Sequence, residues 1–262
     1  AVHQAGMPSD LARLVPLARA SGVALIEDAA CAAGSEILWQ ERWTPIGAPI
    51  GDAACFSFHP RKVITTGDGG MVTTANAGWD ARMRSLRHHG MSVSAHARHG
   101  ADRVIFESYD EPGYNYRLTD VQAAIGRVQL ARLATIVTRR RALAERYRLA
   151  LSGHRRLGAP GEPSWARSNW QSYGVRLDES IDQRELMQAL LDRGVATRRG
   201  VMCAHREAAW SAPGAWRCVG DPATALRHSE AAQDHTVLLP LSPQMSDAEQ
   251  DYVIEMLEQC TR

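Results

Sequence analysis

Lys62 is the single lysine of a 262-residue chain in which lysine and arginine together number 30. A guanidinium stays protonated in proteins and cannot act as an amine nucleophile, whereas an ammonium that loses its proton can. A lone lysine is therefore a candidate for amine chemistry, set against the plain alternative of a solvated surface side chain. Ser57 lies five residues before it, at the end of the apolar run 53–58 (AACFSF), where Phe56 and Phe58 fall on one face of a strand and Ser57 on the other. His59-Pro60 closes that strand, and Lys62 follows in a turn ahead of the glycine-rich TTGDGG and a second strand over 70–74. A hydroxyl and an amine at a strand's C-terminal end stand where open α/β sheets bind ligands. Asp28 ends another apolar run, so its carboxylate is expected in the same crevice; the other reading makes it the N-cap of the small-residue segment 29–34.

These residues need a scaffold, and the chain alternates helical and strand patterns as a layered α/β fold does. Pro8-Ser9-Asp10 signals a helix start, and Leu11, Leu14, Val15, Leu17 and Ala18 give an apolar stripe, kinked at Pro16 and ended by Gly22. The continuous apolar run 23–26 reads as a strand covered on both faces, terminating in Glu27-Asp28. A helix over 77–87 stops at His88-His89-Gly90, and the polar stretch 92–110 has no period and reads as a mobile loop of the kind that often carries function. Thr119-x-x-Gln122 is a capping box opening a helix to about 133, and a second helix over 139–151 follows a short break, the two reading as a strut between domains. Beyond it, 154–167 is a Gly/Pro-rich connector, 169–177 alternates as a strand, and Asp182-x-x-Glu185 opens a helix closed by Gly194. A helix over 223–233, a buried strand over 236–241 and a final helix behind the capping box Ser246-x-x-Glu249 complete the pattern. The organisation expected is a large domain over 1–134, a connecting helix over 135–152 and a small C-terminal α/β domain over 153–262.

Composition excludes several classes. Apolar residues make up 45% and charged residues 23% of the chain, ordinary for a globular protein long enough to bury a core. No apolar run approaches the ~18 residues of a membrane span, and no signal peptide is read at the start. With a net charge of +1 and both signs mixed along the chain, no nucleic-acid footprint is expected; Arg139-Arg140-Arg141 reads as the wet face of a helix. Five scattered cysteines, Cys31, Cys55, Cys203, Cys218 and Cys260, form no C-x-x-C pair, which argues against a disulfide framework or a metal site and favours the reducing cytoplasm.

In order and spacing, EDAA, GDAACFSFHPRK, TTGDGGMVTT, HHGM and GYNYRLTDVQAAIG resemble the DegT/DnrJ/EryC1/StrS family of pyridoxal-phosphate-dependent sugar aminotransferases, over essentially the whole chain. Each motif is weak alone; five in series are specific. The resemblance implies part of a fold type I (aspartate aminotransferase-like) cofactor-binding domain with a mixed, mostly parallel sheet, plus the smaller C-terminal α/β domain. It also implies that Lys62 forms a Schiff base with pyridoxal 5′-phosphate and then moves protons as acid and base. Asp28 matches the carboxylate that keeps the ring nitrogen protonated, so that the ring acts as an electron sink. Ser57 matches a donor to the dianionic phosphate, and Asn115 a residue that reaches the phosphate from the neighbouring subunit, which implies a homodimer. Cys31 stands where the family usually carries a glutamine that bonds the ring hydroxyl, and a thiol is a poorer donor. His89 and Arg117 fall in motifs near the site.

Further departures bear on the substrate. Ala33 and Asp68 stand where members often carry His and Glu. The segment RRGVMCAHRE replaces a substrate loop containing tyrosine and proline; its Arg198, Arg199 and His205 suit the diphosphate of a nucleotide-linked sugar, or else are surface residues of an arginine-rich chain. The activity implied is transfer of an amino group from glutamate or glutamine to a keto group of a nucleotide-linked sugar. The alternatives are a sugar dehydratase of the same family, whose members replace the lysine with histidine, and a silent or regulatory member, to which Cys31 lends weight. Full-length members carry a further N-terminal segment with a helix start that cradles the phosphate, so the chain is read as N-terminally truncated.

Overall fold

The computed structural model describes residues 1–93, 98, 100–212, 214–221 and 224–262, which carry a mixed α/β fold in two units, residues 1–134 with 164–169 and residues 135–163 with 170–262. In the first unit Asp10 caps helix α1 (Leu11–Ala20) by accepting from the Arg13 N–H, and the apolar stripe turns Leu11 and Val15 into the core. Strand β1 (Ile26–Asp28) follows, then a hairpin of β2 (Glu36–Trp39) and β3 (Arg42–Pro45), then β4 (Ala53–Ser57) and β5 (Gly70–Thr73). The order β1-β4-β5 makes a three-stranded sheet in which β1 and β4 run parallel and β5 returns antiparallel. One of its faces carries Ala54 and Phe56 onto a core of Leu11, Val15, Ala29, Ala32, Ile37, Ile46 and Ile50, each fully buried aliphatic side chain contributing on the order of 1.5–3 kcal/mol.

The run 23–26 departs from expectation. Only Ile26 of it is strand, Val23 is 58% and Ile26 46% exposed, and the reason is one-sided packing. The core takes the face of Ala54 and Phe56, while on the other face Ile26, Asp28 and Val72 are exposed.

Helix α2 (Ala77–Leu86) is capped by Asn76, and α3 (Asp120–Ala131) by the Thr119–Gln122 capping box. The break after α3 is a single residue, Arg132, and α4 (Leu133–Ala150) runs unbroken through 133–138. Of the loop expected over 92–110, residues 94–97 and 99 lie outside the described residues.

The second unit is built on the four-stranded order β6 (Leu157–Gly158), β8 (Tyr173–Leu177), β10 (Thr236–Leu239), β9 (Arg198–Arg199), all antiparallel; β7 (Ala166–Arg167) instead joins β2 in the first unit. Leu157, Tyr173, Val175, Leu177, Val237 and Leu239 alternate onto one face, covered by α4, α5 (Gln183–Leu191) and α7 (Asp247–Cys260). The strand expected over 169–177 thus starts only at Tyr173, since Trp170 takes a left-handed φ of 51° and breaks the extended chain. Helix α6 (Arg227–Asp234) begins after the expected start, and Ala223 lies outside the described residues. Arg140, expected on a wet face, is 6% exposed and donates to the carbonyls of Trp170 (2.9 Å) and Gln171 (2.7 Å); burial pushes its guanidinium down to about 10.

Candidate active site

Parallel pairing brings the C-terminal ends of β1 and β4 to the same edge of the sheet, with Asp28 directly opposite Cys55 and Ser57 two residues further on. Partners in a ladder share a face, so Asp28, Cys55 and Ser57 line one side while Glu27, Ala54 and Phe56 point to the other. Asp28 is exposed and its Oδ1 accepts from the Ala30 N–H at 3.1 Å, closing a short turn rather than capping a helix over 29–34. The Cys55 thiol is pushed up by burial and secondarily by the Asp28 carboxylate. Ser57 Oγ accepts from the His59 N–H at 3.3 Å.

The turn after β4 sets the lysine. The Lys62 N–H bonds to the His59 carbonyl at 2.9 Å, and the next two side chains, Val63 and Ile64, are buried at 8% and 5% exposure, which anchors the segment. Lys62 is half-buried, and its Nζ donates to Cys31 Sγ at 3.2 Å. Three residues after Asp28, Cys31 sits in the turn leaving β1. Asn169, fully buried, donates both amide hydrogens into that turn, to the carbonyls of Cys31 and Ala33, each at 2.8 Å. Sequence reading put Asn169 at the start of a strand; the only signal of its role is a polar residue inside the broken alternation of Ser168-Asn169-Trp170.

The glycine-rich segment folds back on the same strand. Phe58 exchanges backbone bonds with Gly69 and Thr66, Thr65 Oγ1 donates to the Phe58 carbonyl at 2.8 Å, and Gly69 adopts a φ of 139° open essentially to glycine alone. Gln122, the capping-box residue of α3, also donates to the Asp68 carbonyl at 3.0 Å, which ties the loop to the helix start.

A second cluster joins the motifs HHG and GYNYR. His88 and Asn115 form an antiparallel bridge, the His89 N–H bonds to the Tyr114 carbonyl at 2.9 Å, and the Tyr116 N–H to the Arg87 carbonyl at 3.0 Å. Arg117 Nε donates to Asn115 Oδ1 at 3.1 Å. A Cβ on Gly113 would overlap the Gly90 nitrogen and the His89 backbone, so the crossing of the two segments needs glycine there. Among the described residues His88 Nε2 is buried without a partner, and burial, then Arg117, His89, Arg87 and Arg98, hold the imidazole below its usual range. His89, Asn115 and Arg117 are thus brought together, and among the described residues no hydrogen bond links them to Lys62.

The three remaining expected residues belong to the second unit. Arg199 pairs with Glu207 at 3.2 Å, His205 with Glu230 at 2.8 Å and its ring tilts against Trp216, while Arg198 is exposed on β9. Among the described residues no group of three or more His, Cys, Asp or Glu could hold a metal ion, and no helix is long and apolar enough to cross a membrane.

Comparison with known proteins gives a consistent result. A family model described as the DegT/DnrJ/EryC1/StrS aminotransferase family matches residues 1–258. The aminotransferase TlmJ from Streptoalloteichus hindustanus is 33% identical, with a TM-score of 0.83, over 99% of this chain and 64% of TlmJ. DesV from S. venezuelae, solved in complex with a ketimine intermediate, is 30% identical, with a TM-score of 0.83, over 100% of this chain and 64% of DesV. The candidate sugar aminotransferase Spr1654 from Streptococcus pneumoniae, solved in PMP-form and PLP-form, is 25% identical in the PMP-form, with a TM-score of 0.85 over 99% of this chain and 68% of Spr1654. The chain therefore spans less than two thirds of the length of TlmJ and DesV.

Proposed function

Since the chain belongs to the DegT/DnrJ/EryC1/StrS aminotransferase family, we propose that it is the part of a pyridoxal-phosphate-dependent sugar aminotransferase that carries the reactive lysine. The observation that supports this most is the contact of the sole lysine, Lys62, with Cys31 at 3.2 Å, beside the strand end that bears Asp28. The donor set fits the cofactor: a primary amine, an exposed carboxylate, and a Ser57 hydroxyl that accepts from a backbone N–H and keeps its own proton for a phosphate oxygen. Pyridoxal phosphate, when bound, supplies an aldehyde carbon and a conjugated ring that accepts electron density.

In this reading Lys62 would be the amine that holds the aldehyde carbon when the cofactor is bound, and its Nζ would carry a proton to and from the reacting carbon as a general acid and base. Asp28 keeps the ring nitrogen protonated, Ser57 orients the phosphate, and Cys31 stands beside the lysine amine. The amino donor is glutamate or glutamine and the acceptor a keto group on a nucleotide-linked sugar, with Arg198, Arg199 and His205 as candidates for the diphosphate. Binding it with Arg199 or His205 requires exchange of the carboxylate partners Glu207 and Glu230.

The reading includes a homodimer to which each copy lends Asn115 and Arg117. Helix α3 buries none of its own side chains, and Val121, Ile125 and Val128, at i, i+4 and i+7 on one face, are 72%, 46% and 62% exposed, an apolar strip suited to a second copy. Retention of lysine where the family's dehydratases have histidine favours transamination over dehydration.

The test is to incubate the chain with pyridoxal phosphate, reduce with borohydride and map the pyridoxyl group by peptide mass. It should lie on Lys62 and vanish in Lys62→Ala. A visible absorption band that fades with glutamate and returns with a keto-sugar nucleotide then identifies transamination. Absence of label on Lys62 sinks the reading.

A further inference from the structure

Cys31 presents a feature that transamination does not use. Its Sγ accepts a hydrogen bond from Lys62 Nζ at 3.2 Å, so a soft nucleophile and the chain's only side-chain primary amine are in direct contact. Both ends are held. The Cys31 carbonyl is fixed by Asn169 at 2.8 Å, the next residue, Ala32, is fully buried, and Lys62 stands between its turn bond to His59 and the buried Val63. Reacting groups fixed at contact distance behave as if at very high local concentration. The other four cysteines lack this arrangement, since no second lysine exists to serve them. Cys203 is buried, and the Cys55 thiol is pushed up by burial and by Asp28, which suppresses its thiolate.

We propose that Cys31 and Lys62 form a peroxide-responsive modification site that closes into a covalent S–N bond. In the first step the Cys31 sulfur attacks one oxygen of a hydroperoxide. The O–O bond breaks, sulfur loses two electrons to the peroxide, the thiol proton leaves with the departing oxygen as water or alcohol, and Cys31 becomes a sulfenic acid. In the second step, which involves no net redox change, the neutral Lys62 amine attacks that sulfur, the S–O bond breaks, and water leaves with the hydroxyl and one amine proton. The product is a sulfenamide joining Sγ to Nζ. A dithiol reverses it, one thiol attacking sulfur to release the amine and the second freeing Cys31. The site itself does not depend on the proposed cofactor chemistry. Its consequence rests on that reading, because a cross-linked Nζ cannot hold the cofactor aldehyde, and oxidation then silences the site until the bond is reduced.

The test uses the full chain without cofactor. After brief treatment with hydrogen peroxide and blocking of free thiols with N-ethylmaleimide, intact mass should fall by about 2 Da before the thiol adducts are counted, and peptide mapping should join the peptides of Cys31 and Lys62. Dithiothreitol should restore both. The cross-link should be absent in Lys62→Arg and in Cys31→Ser, and Lys62→Arg should instead carry Cys31 onward to the sulfinic acid. A Cys31 peptide that still loses about 2 Da in Lys62→Arg reports a disulfide and overturns the proposal, as does a wild-type chain that reaches sulfinic acid as fast as that variant. If the cross-link forms but borohydride fixes no pyridoxyl group on Lys62, the modification site stands and the cofactor reading fails; label without cross-link gives the reverse.

Discussion

Replacing Asn169 tests whether the turn that presents Cys31 is held from a distant part of the sequence. The side chain is fully buried and directs both amide hydrogens at carbonyls, those of Cys31 and Ala33, at 2.8 Å each. Asn169→Ala leaves both carbonyls without these donors, at about 1–3 kcal/mol each, so a loss of roughly 2–6 kcal/mol is expected. Asn169→Asp keeps the shape and inverts the chemistry, turning an oxygen toward two carbonyl oxygens in place of the amide. A carboxyl so placed has its charged form disfavoured by burial and by the facing lone pairs, which raises its pKa in the folded state. The sign follows: the penalty is largest at neutral pH and eases as the pH falls, when the carboxyl takes a proton and donates it to one carbonyl. Urea unfolding with unchanged slope should therefore rank wild type above Asn169→Ala above Asn169→Asp at pH 7, with the gap between the two variants narrowing at pH 5. Alkylation of Cys31, followed by peptide mass, should quicken in both variants. Losses below about 1 kcal/mol in both, with Cys31 alkylation unchanged, would refute the argument that Asn169 positions the turn.

Three other outcomes are expected. Gly113→Ala should cost about 2 kcal/mol or more in urea unfolding, because the added methyl meets the His89-Gly90 backbone, while Gly161→Ala, with open space around it, should be near neutral; equal effects would contradict the crossing. The His88 imidazole is held below its ordinary 6.5 by burial and neighbouring cations, so it favours the neutral form when folded, and what it contributes to the segment is present above 6.5 and lost as the pH falls through the lowered value; an NMR titration midpoint at or above 6.5 would count against this. Val128→Glu on the exposed strip of α3 should shift the chain from dimer to monomer in sedimentation equilibrium, and an unchanged mass distribution would remove α3 from the proposed interface.

What could be read in advance was what short-range chemistry decides. The capping boxes at Thr119 and Ser246 and the caps at Asp10 and Asp182 formed as read, since each satisfies orphan N–H groups within three residues. The β4 alternation, with Phe56 turned to the core and Ser57 away from it, was also legible. The β2–β3 hairpin was not, because its turn residues Gln40 and Glu41 take φ of 45° and 64° without the Asn or Gly that normally marks such a turn. The run 23–26 misled because apolar content alone cannot tell a strand covered twice from one covered once. At the candidate site, motif spacing singled out Asp28, Ser57 and Lys62 as candidates, but neither the Cys31–Lys62 contact nor the grip of Asn169 has a local signature, as they join residues 31 and 138 positions apart.

The outward aim of Asp28 is decided by the residue before it. Strand β1 sets two carboxylates back to back, and Glu27 is the one turned inward, 1% exposed. A buried carboxylate is tolerable only with partners, and Glu27 has two: the Gly51 N–H at 2.9 Å on one oxygen and His3 Nε2 at 3.0 Å on the other. His3 is itself buried, and its Nδ1 accepts from the Ser9 N–H at 3.0 Å, so the ring proton lies on Nε2 and points at Glu27. Slipping β1 by one residue against β4 would strand both partners and drive Asp28 into the core, a change that loses several buried hydrogen bonds at once. The register that gives Asp28 its open face is therefore fixed from the opposite side of the sheet, by groups that never meet a ligand.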